Sequence, residues 1–98
     1  MASRLIVVKV GTSGITTADG RLDEEEMRRL AKQVAAAHEQ GNRIVLVTSG
    51  AVAAGIAELG IPPKPNDLVF QQASAATGQS VLMAKYRELF RAHDVKVA

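Results

Sequence analysis

Two short apolar runs, residues 5–10 and 44–47, each stop abruptly on a segment of glycine and hydroxyl residues. Neither run alternates with polar positions, apart from Lys9. That pattern predicts two strands, 5–10 and 43–48, buried on both faces. Between them Met27, Leu30, Ala31, Val34 and Ala35 recur at helical spacing. Asp23 reads as the N-cap of this helix, Glu26 completes a capping box, and Gly41 sits where a C-cap glycine belongs. The helix is therefore expected over 23–40, with Glu24–Arg28 and Glu25–Arg29 pairing on its solvent side. Residues 11–21 form a loop with a turn signal at Asp19-Gly20.

After the second strand, Ser49 or Thr48 is expected to cap a helix over 50–59. That helix is built of small residues (Ala51, Ala53, Ala54, Gly55, Ala57), so another backbone is expected close by. Gly60 and the three prolines at 62, 63 and 65 end it. Asn66 or Asp67 starts a long helix over 67–92, with a stripe of Phe70, Ala73, Thr77, Val81, Leu82, Tyr86, Leu89 and Phe90. Mid-helix Gly78 again marks close approach by another backbone, from a neighbouring helix or a second subunit. Residues 95–98 read as the start of a third strand. The order β-α-β-α-α-β predicts an α/β fold, with a parallel sheet and right-handed crossovers.

Composition narrows the class. The 98 residues suit about one small domain. Apolar residues at 47% against 22% charged are typical of a folded chain rather than a disordered one. The formal charge of +2 comes from 12 basic and 10 acidic residues scattered along the sequence, and aromatic residues are only 3%. No basic stripe with stacking platforms exists, so no nucleic-acid partner is expected. Cysteine is absent, which removes disulfides, thiol chemistry and Cys-ligated metal. No apolar stretch approaches the ~20 residues of a membrane span. The first strand starts almost at once and leaves no room for a signal peptide. A cytoplasmic protein without a membrane partner is the expectation.

The chemistry concentrates at the two strand ends. In a parallel sheet both would open at the carboxyl edge, where open α/β folds bind ligands. Lys9-Val10-Gly11-Thr12-Ser13 places an ammonium beside bare amides, an arrangement suited to phosphate. The plainer reading is a lysine snorkelling to solvent before an ordinary turn. The segment is neither a Walker loop nor a dinucleotide fingerprint, since its glycine spacing fits neither. The plainer reading of Thr48-Ser49-Gly50-Ala51 taken alone is a serine capping a helix, and the functional one adds an anion at that helix N-terminus. The neutral polar groups of the long helix, Gln71, Gln72, Ser74, Thr77 and Gln79, read as a packing face. His38 and His93 read as residues favoured at helix ends rather than catalysts. Glu24-Glu25-Glu26 is a solvated first turn, and no metal-ligand spacing or Ser-His-Asp arrangement is present.

At these residues the sequence resembles a known family. Residues 7–13, 43–55 (with the string Val47-Thr48-Ser49-Gly50-Ala51-Val52-Ala53-Ala54-Gly55) and 71–80 are similar to the N-terminal part of the glutamate 5-kinases, within the amino acid kinase family. The resemblance implies a three-layer α/β/α sandwich, with residues 1–98 as the N-terminal part of one domain and the nucleotide-binding half absent. It implies ATP- and magnesium-dependent phosphorylation of the γ-carboxylate of L-glutamate, the first step of proline biosynthesis, and a homo-oligomer in the full-length family. Carried over by match, Lys9 contacts the transferring phosphoryl group as the catalytic residue. Gly11, Thr12 and Ser13 line the phosphate loop, and Ser49, Gly50 and Ala51 hold glutamate. The family's organising aspartate and second catalytic lysine belong to later sequence, so the 98-residue chain alone is expected not to turn over. The competing expectations are a kinase of this family with another acceptor, and a non-catalytic module that binds a partner chain.

Overall fold

The computed structural model describes residues 3–60, 62, 64 and 66–98. Strand β1 (Leu5–Val10) and strand β2 (Arg43–Thr48) pair in parallel, with Val7 opposite Val45, Lys9 opposite Val47 and Val10 opposite Thr48. Helix α1 (Glu24–Glu39) makes the crossover between them. Helix α2 (Ala51–Leu59) follows β2 directly, and helix α3 (Leu68–Arg91) returns across α1.

Both strands form where the apolar runs predicted, but they are not buried on both faces. Exposure alternates along each strand. Val10 and Leu46 face a core of Ile15, Met27, Ala31, Leu82, Tyr86, Leu89 and Phe90. On the other face Leu5, Val7, Val45 and Val47 are about half exposed. The described residues thus supply one helical layer on one side of a two-stranded parallel sheet, in keeping with an α/β protein.

Asp23 caps α1 as expected, accepting from the Glu26 amide at 3.2 Å. The capping box stays half-made, because the Asp23 amide donates instead to the Ile15 carbonyl at 2.8 Å. Glu26 turns to Arg29 at 3.0 Å, and Glu24 reaches across to Lys85 of α3 at 2.8 Å. These contacts replace the expected Glu24–Arg28 and Glu25–Arg29 pairs. For Glu24, a partner on a packed neighbouring helix outcompetes one on its own solvent-swept face. Asp67 caps α3 by accepting from the Phe70 amide at 3.0 Å.

The buried stripe of α3 is rotated from the expected one in its first half. Ser74 and Gly78 are buried, whereas Ala73 is exposed and Thr77 only half-buried. The cause is α2, whose backbone lies against these smallest residues. A Cβ on Gly55 would stand 1.7 Å from the Ser74 carbonyl oxygen, and one on Gly78 would stand 1.6 Å from that of Ala51. The close approach foreseen for both glycines is therefore made by helices of this same chain.

Residues 95–98 form no ladder, so the third strand is not made. Helix α3 ends instead in a Schellman arrangement. The Val95 amide donates to the Phe90 carbonyl at 3.0 Å and the Asp94 amide to the Arg91 carbonyl at 2.9 Å, with Asp94 at φ +58°. Val95 and Val97 are drawn onto the core beside β2 rather than into its hydrogen-bond register. His93 lies in this turn, just past the last turn of α3. The prolines 63 and 65 that end α2 in the sequence reading lie outside the described residues. Among the described residues no helix is long and apolar enough to cross a membrane.

Candidate functional site

Parallel pairing brings both strand-end segments to one edge of the sheet. The ladder runs one residue past β2, where the Ser49 amide donates to the Val10 carbonyl at 2.9 Å. This fixes the start of the second loop against the start of the first. Pleating then decides the faces. Lys9 and Val47 pair on the helix-free side. Ser49, two residues beyond Val47 and exposed, continues on that side. The ammonium and the hydroxyl therefore belong to one face at one end of neighbouring strands.

The first loop tightens into one turn of 3-10 helix, Thr12–Gly14, closed by the Gly14 amide on the Gly11 carbonyl at 3.1 Å and the Ile15 amide on the Thr12 carbonyl at 3.2 Å. The turn leaves the amides of Gly11, Thr12 and Ser13 without a protein acceptor among the described residues. A Cβ on Gly11 would meet nothing within 4 Å, so that side of the turn is open.

The second loop departs from the sequence reading. Neither Ser49 nor Thr48 caps α2; the N-cap is Gly50, at φ +111°, with no side-chain capping bond. Side chains rarely adopt that backbone conformation, which explains the glycine. A Cβ there would also come within 2.9 Å of Ile15 Cδ1. That contact seals the floor between the two loops, because Ile15 is only 1% exposed. The Gly50 and Ala51 amides have no protein acceptor among the described residues, as expected in a helix's first turn.

Thr48 stands inside the second motif, whereas Tyr86, on the apolar stripe of α3, carries no local signal of a role in this region. The two hydroxyls lie 2.7 Å apart, between residues 38 positions apart in the chain. Burial pushes the Tyr86 phenol above its ordinary range, against a smaller opposing effect of the Thr48 hydrogen bond.

Two concavities open away from the strand-end loops, the first of them reaching Thr48 and Tyr86. A mostly apolar groove of about 510 Å³ runs beside β2, walled by Ile44, Leu46, Phe90, Val95 and Val97. A shallower one lies between the end of α1 and residues 93–95. His38, Arg43 and Lys96 also line the first and Lys32, His38 and His93 the second, but the backbone amides without a protein acceptor among the described residues lie at the strand-end loops. Among the described residues no three His, Cys, Asp or Glu side chains converge. The strand-end loops thus leave the backbone amides of residues 11–13, 50 and 51 without a protein acceptor among the described residues.

Residues 4–98 match the amino acid kinase family. A glutamate 5-kinase of Thermobifida fusca is 47% identical over 96 residues, which cover 98% of this chain and 25% of that protein. Glutamate 5-kinase 1 of Bacillus licheniformis is 43% identical over 98 residues, covering 100% and 27%. A glutamate 5-kinase of Streptomyces coelicolor is 46% identical over 95 residues, covering 97% and 25%. The chain thus spans about a quarter of the length of the curated relatives it matches.

Proposed function

The chain belongs to the amino acid kinase family, and on that premise we propose that it is the acceptor-side part of a cytoplasmic, ATP-dependent glutamate 5-kinase. The reading rests on one observation above all: two amide-lined loops abut at Gly50 and Ile15, with Lys9 and Ser49 on the same face above them. In the proposed reaction an oxygen of the L-glutamate γ-carboxylate attacks the γ-phosphorus of ATP. The new O–P bond gives γ-glutamyl phosphate, and the P–O bond to ADP breaks. Negative charge builds on the transferring phosphoryl oxygens, and positioning with charge stabilisation is most of what such a transfer requires.

Lys9 supplies the cation for those oxygens, and the amides of Gly11, Thr12 and Ser13 cradle them. The Ser49 hydroxyl with the Gly50 and Ala51 amides holds the glutamate. Magnesium, bound by groups outside this chain, would screen the nucleotide phosphates. The bare sheet face at Leu5, Val7, Val45 and Val47 belongs to the third layer of an α/β/α sandwich, completed by further polypeptide. The 98-residue chain alone is accordingly inactive.

Separate calorimetric titrations with L-glutamate and with ATP test the reading. Binding of glutamate, with ATP bound weakly or not at all, supports it. Preference for a different carboxylate or phosphate acceptor points to another kinase of the family. Binding of neither favours a module whose role lies in its exposed sheet face. Formation of acyl phosphate from ATP and glutamate by the isolated chain would contradict the assignment to one half of the site.

A further inference from the structure

Helix α2 begins without a side-chain cap, on a glycine in a left-handed conformation. Something other than local capping must hold the chain there. Each hydroxyl carries one proton, which decides how the Thr48–Tyr86 contact is used. The Thr48 hydroxyl donates to the Ser49 carbonyl at 2.9 Å. Its proton is then spent, so at 2.7 Å it accepts from the Tyr86 hydroxyl. The result is a directed chain, from Tyr86 to Thr48 to the Ser49 carbonyl. That carbonyl and the Gly50 amide belong to one planar trans peptide and point in opposite directions. Fixing the carbonyl fixes the amide.

We propose that Tyr86 is a positioning residue for the second loop: through Thr48 it sets the Ser49–Gly50 peptide plane and so the direction in which the Gly50 amide is presented. The tyrosine is suited to this task. It is 2% exposed and its ring stacks on Phe90, with centroids 6.3 Å apart. Its hydroxyl therefore cannot swing away without disturbing the core. Gly78 assists from the same helix by bringing α3 against the Ala51 carbonyl. The consequence for glutamate rests on the proposed function; the control of the peptide plane does not.

Amide hydrogen exchange on the 98-residue chain tests the proposal, comparing wild type, Tyr86→Phe, Thr48→Val, the double variant and Thr48→Ser. The reporter is the Ser49 amide, which lies in the adjoining Thr48–Ser49 peptide and donates to Val10 at the ladder's end, so that releasing the Ser49–Gly50 plane loosens the residue the two peptides share. Loss of one hydrogen bond should lower its protection about tenfold relative to α1 amides. Thr48→Val should do the same, the double variant should add little, and Thr48→Ser, which keeps the hydroxyl, should retain protection. Unchanged protection in Tyr86→Phe, or fully additive losses in the double variant, overturns the proposal. L-glutamate titration of the same proteins is read separately. If wild type binds, Tyr86→Phe should weaken binding severalfold without lowering the protection of α1 amides. If wild type does not bind, the functional reading fails while the exchange data still decide the positioning role.

Discussion

Gly78 of α3 lies against Ala51 of α2 so closely that a Cβ at position 78 would stand 1.6 Å from the Ala51 carbonyl oxygen. The obstacle is backbone, not a side chain that can turn aside. It is also the backbone of the first residue of α2, where the second loop enters the helix.

Gly78→Ala should therefore force α2 and α3 apart. The expected cost is about 3 kcal/mol or more, at the upper end for overpacked sites. Urea unfolding should show a clear fall in midpoint, and Gly55→Ala should behave alike because it meets the Ser74 carbonyl. A midpoint equal to wild type would show that the helices are not packed this closely.

Ser74 gives the opposite expectation. Its hydroxyl is fully buried and has no hydrogen-bond partner among the described residues. Ser74→Ala removes an unsatisfied polar group and should leave stability unchanged or raise it by about 1 kcal/mol. A loss of that size in thermal unfolding would mean the hydroxyl has a partner in solution.

Alkaline pH should separate Tyr86 from its surroundings. Burial raises the phenol's pKa in the folded chain. Its contribution to stability is thus fully present below the ordinary tyrosine value of about 10 and is lost as pH rises through the folded value. Lys85, raised by its hydrogen bond to Glu24, acts in the same direction. The comparison with Tyr86→Phe isolates the tyrosine. Between pH 9 and 11 wild type should lose more thermal stability than the variant, and parallel curves would contradict the burial.

Asp94 occupies the left-handed position of the α3 terminus at φ +58°. Glycine adopts that conformation without a Cβ penalty. Asp94→Gly should raise stability by about 0.5–1 kcal/mol, read from the thermal midpoint. A decrease would indicate that the turn is not left-handed at this residue.

The elements that depend on short-range pattern were legible in the sequence. The two apolar runs gave β1 and β2 at their observed limits, Asp23 announced the helix it caps, and of the two candidates Asn66 and Asp67 it is Asp67 that caps α3. The two loops were legible too, since glycine and hydroxyl residues stood directly after strands that pair in parallel. Features set by distant partners were not. Residues 95–98 have strand composition, but they form no ladder, and Val95 and Val97 pack on the core instead. The buried face of α3 followed the proximity of α2 rather than hydrophobicity, so Ser74 displaced Ala73. Thr48 was expected to be free for capping; its hydroxyl is instead engaged with Tyr86, 38 residues away.

Residue-resolved NMR titration of the chain with L-glutamate and, separately, inorganic phosphate tests the shared mouth of Lys9 and Ser49 most directly. The account predicts concerted amide shifts in residues 11–13 and 49–51, diminished throughout both loops by either Lys9→Met or Ser49→Ala. Shifts confined to one loop, or centred on the groove beside β2, would contradict it.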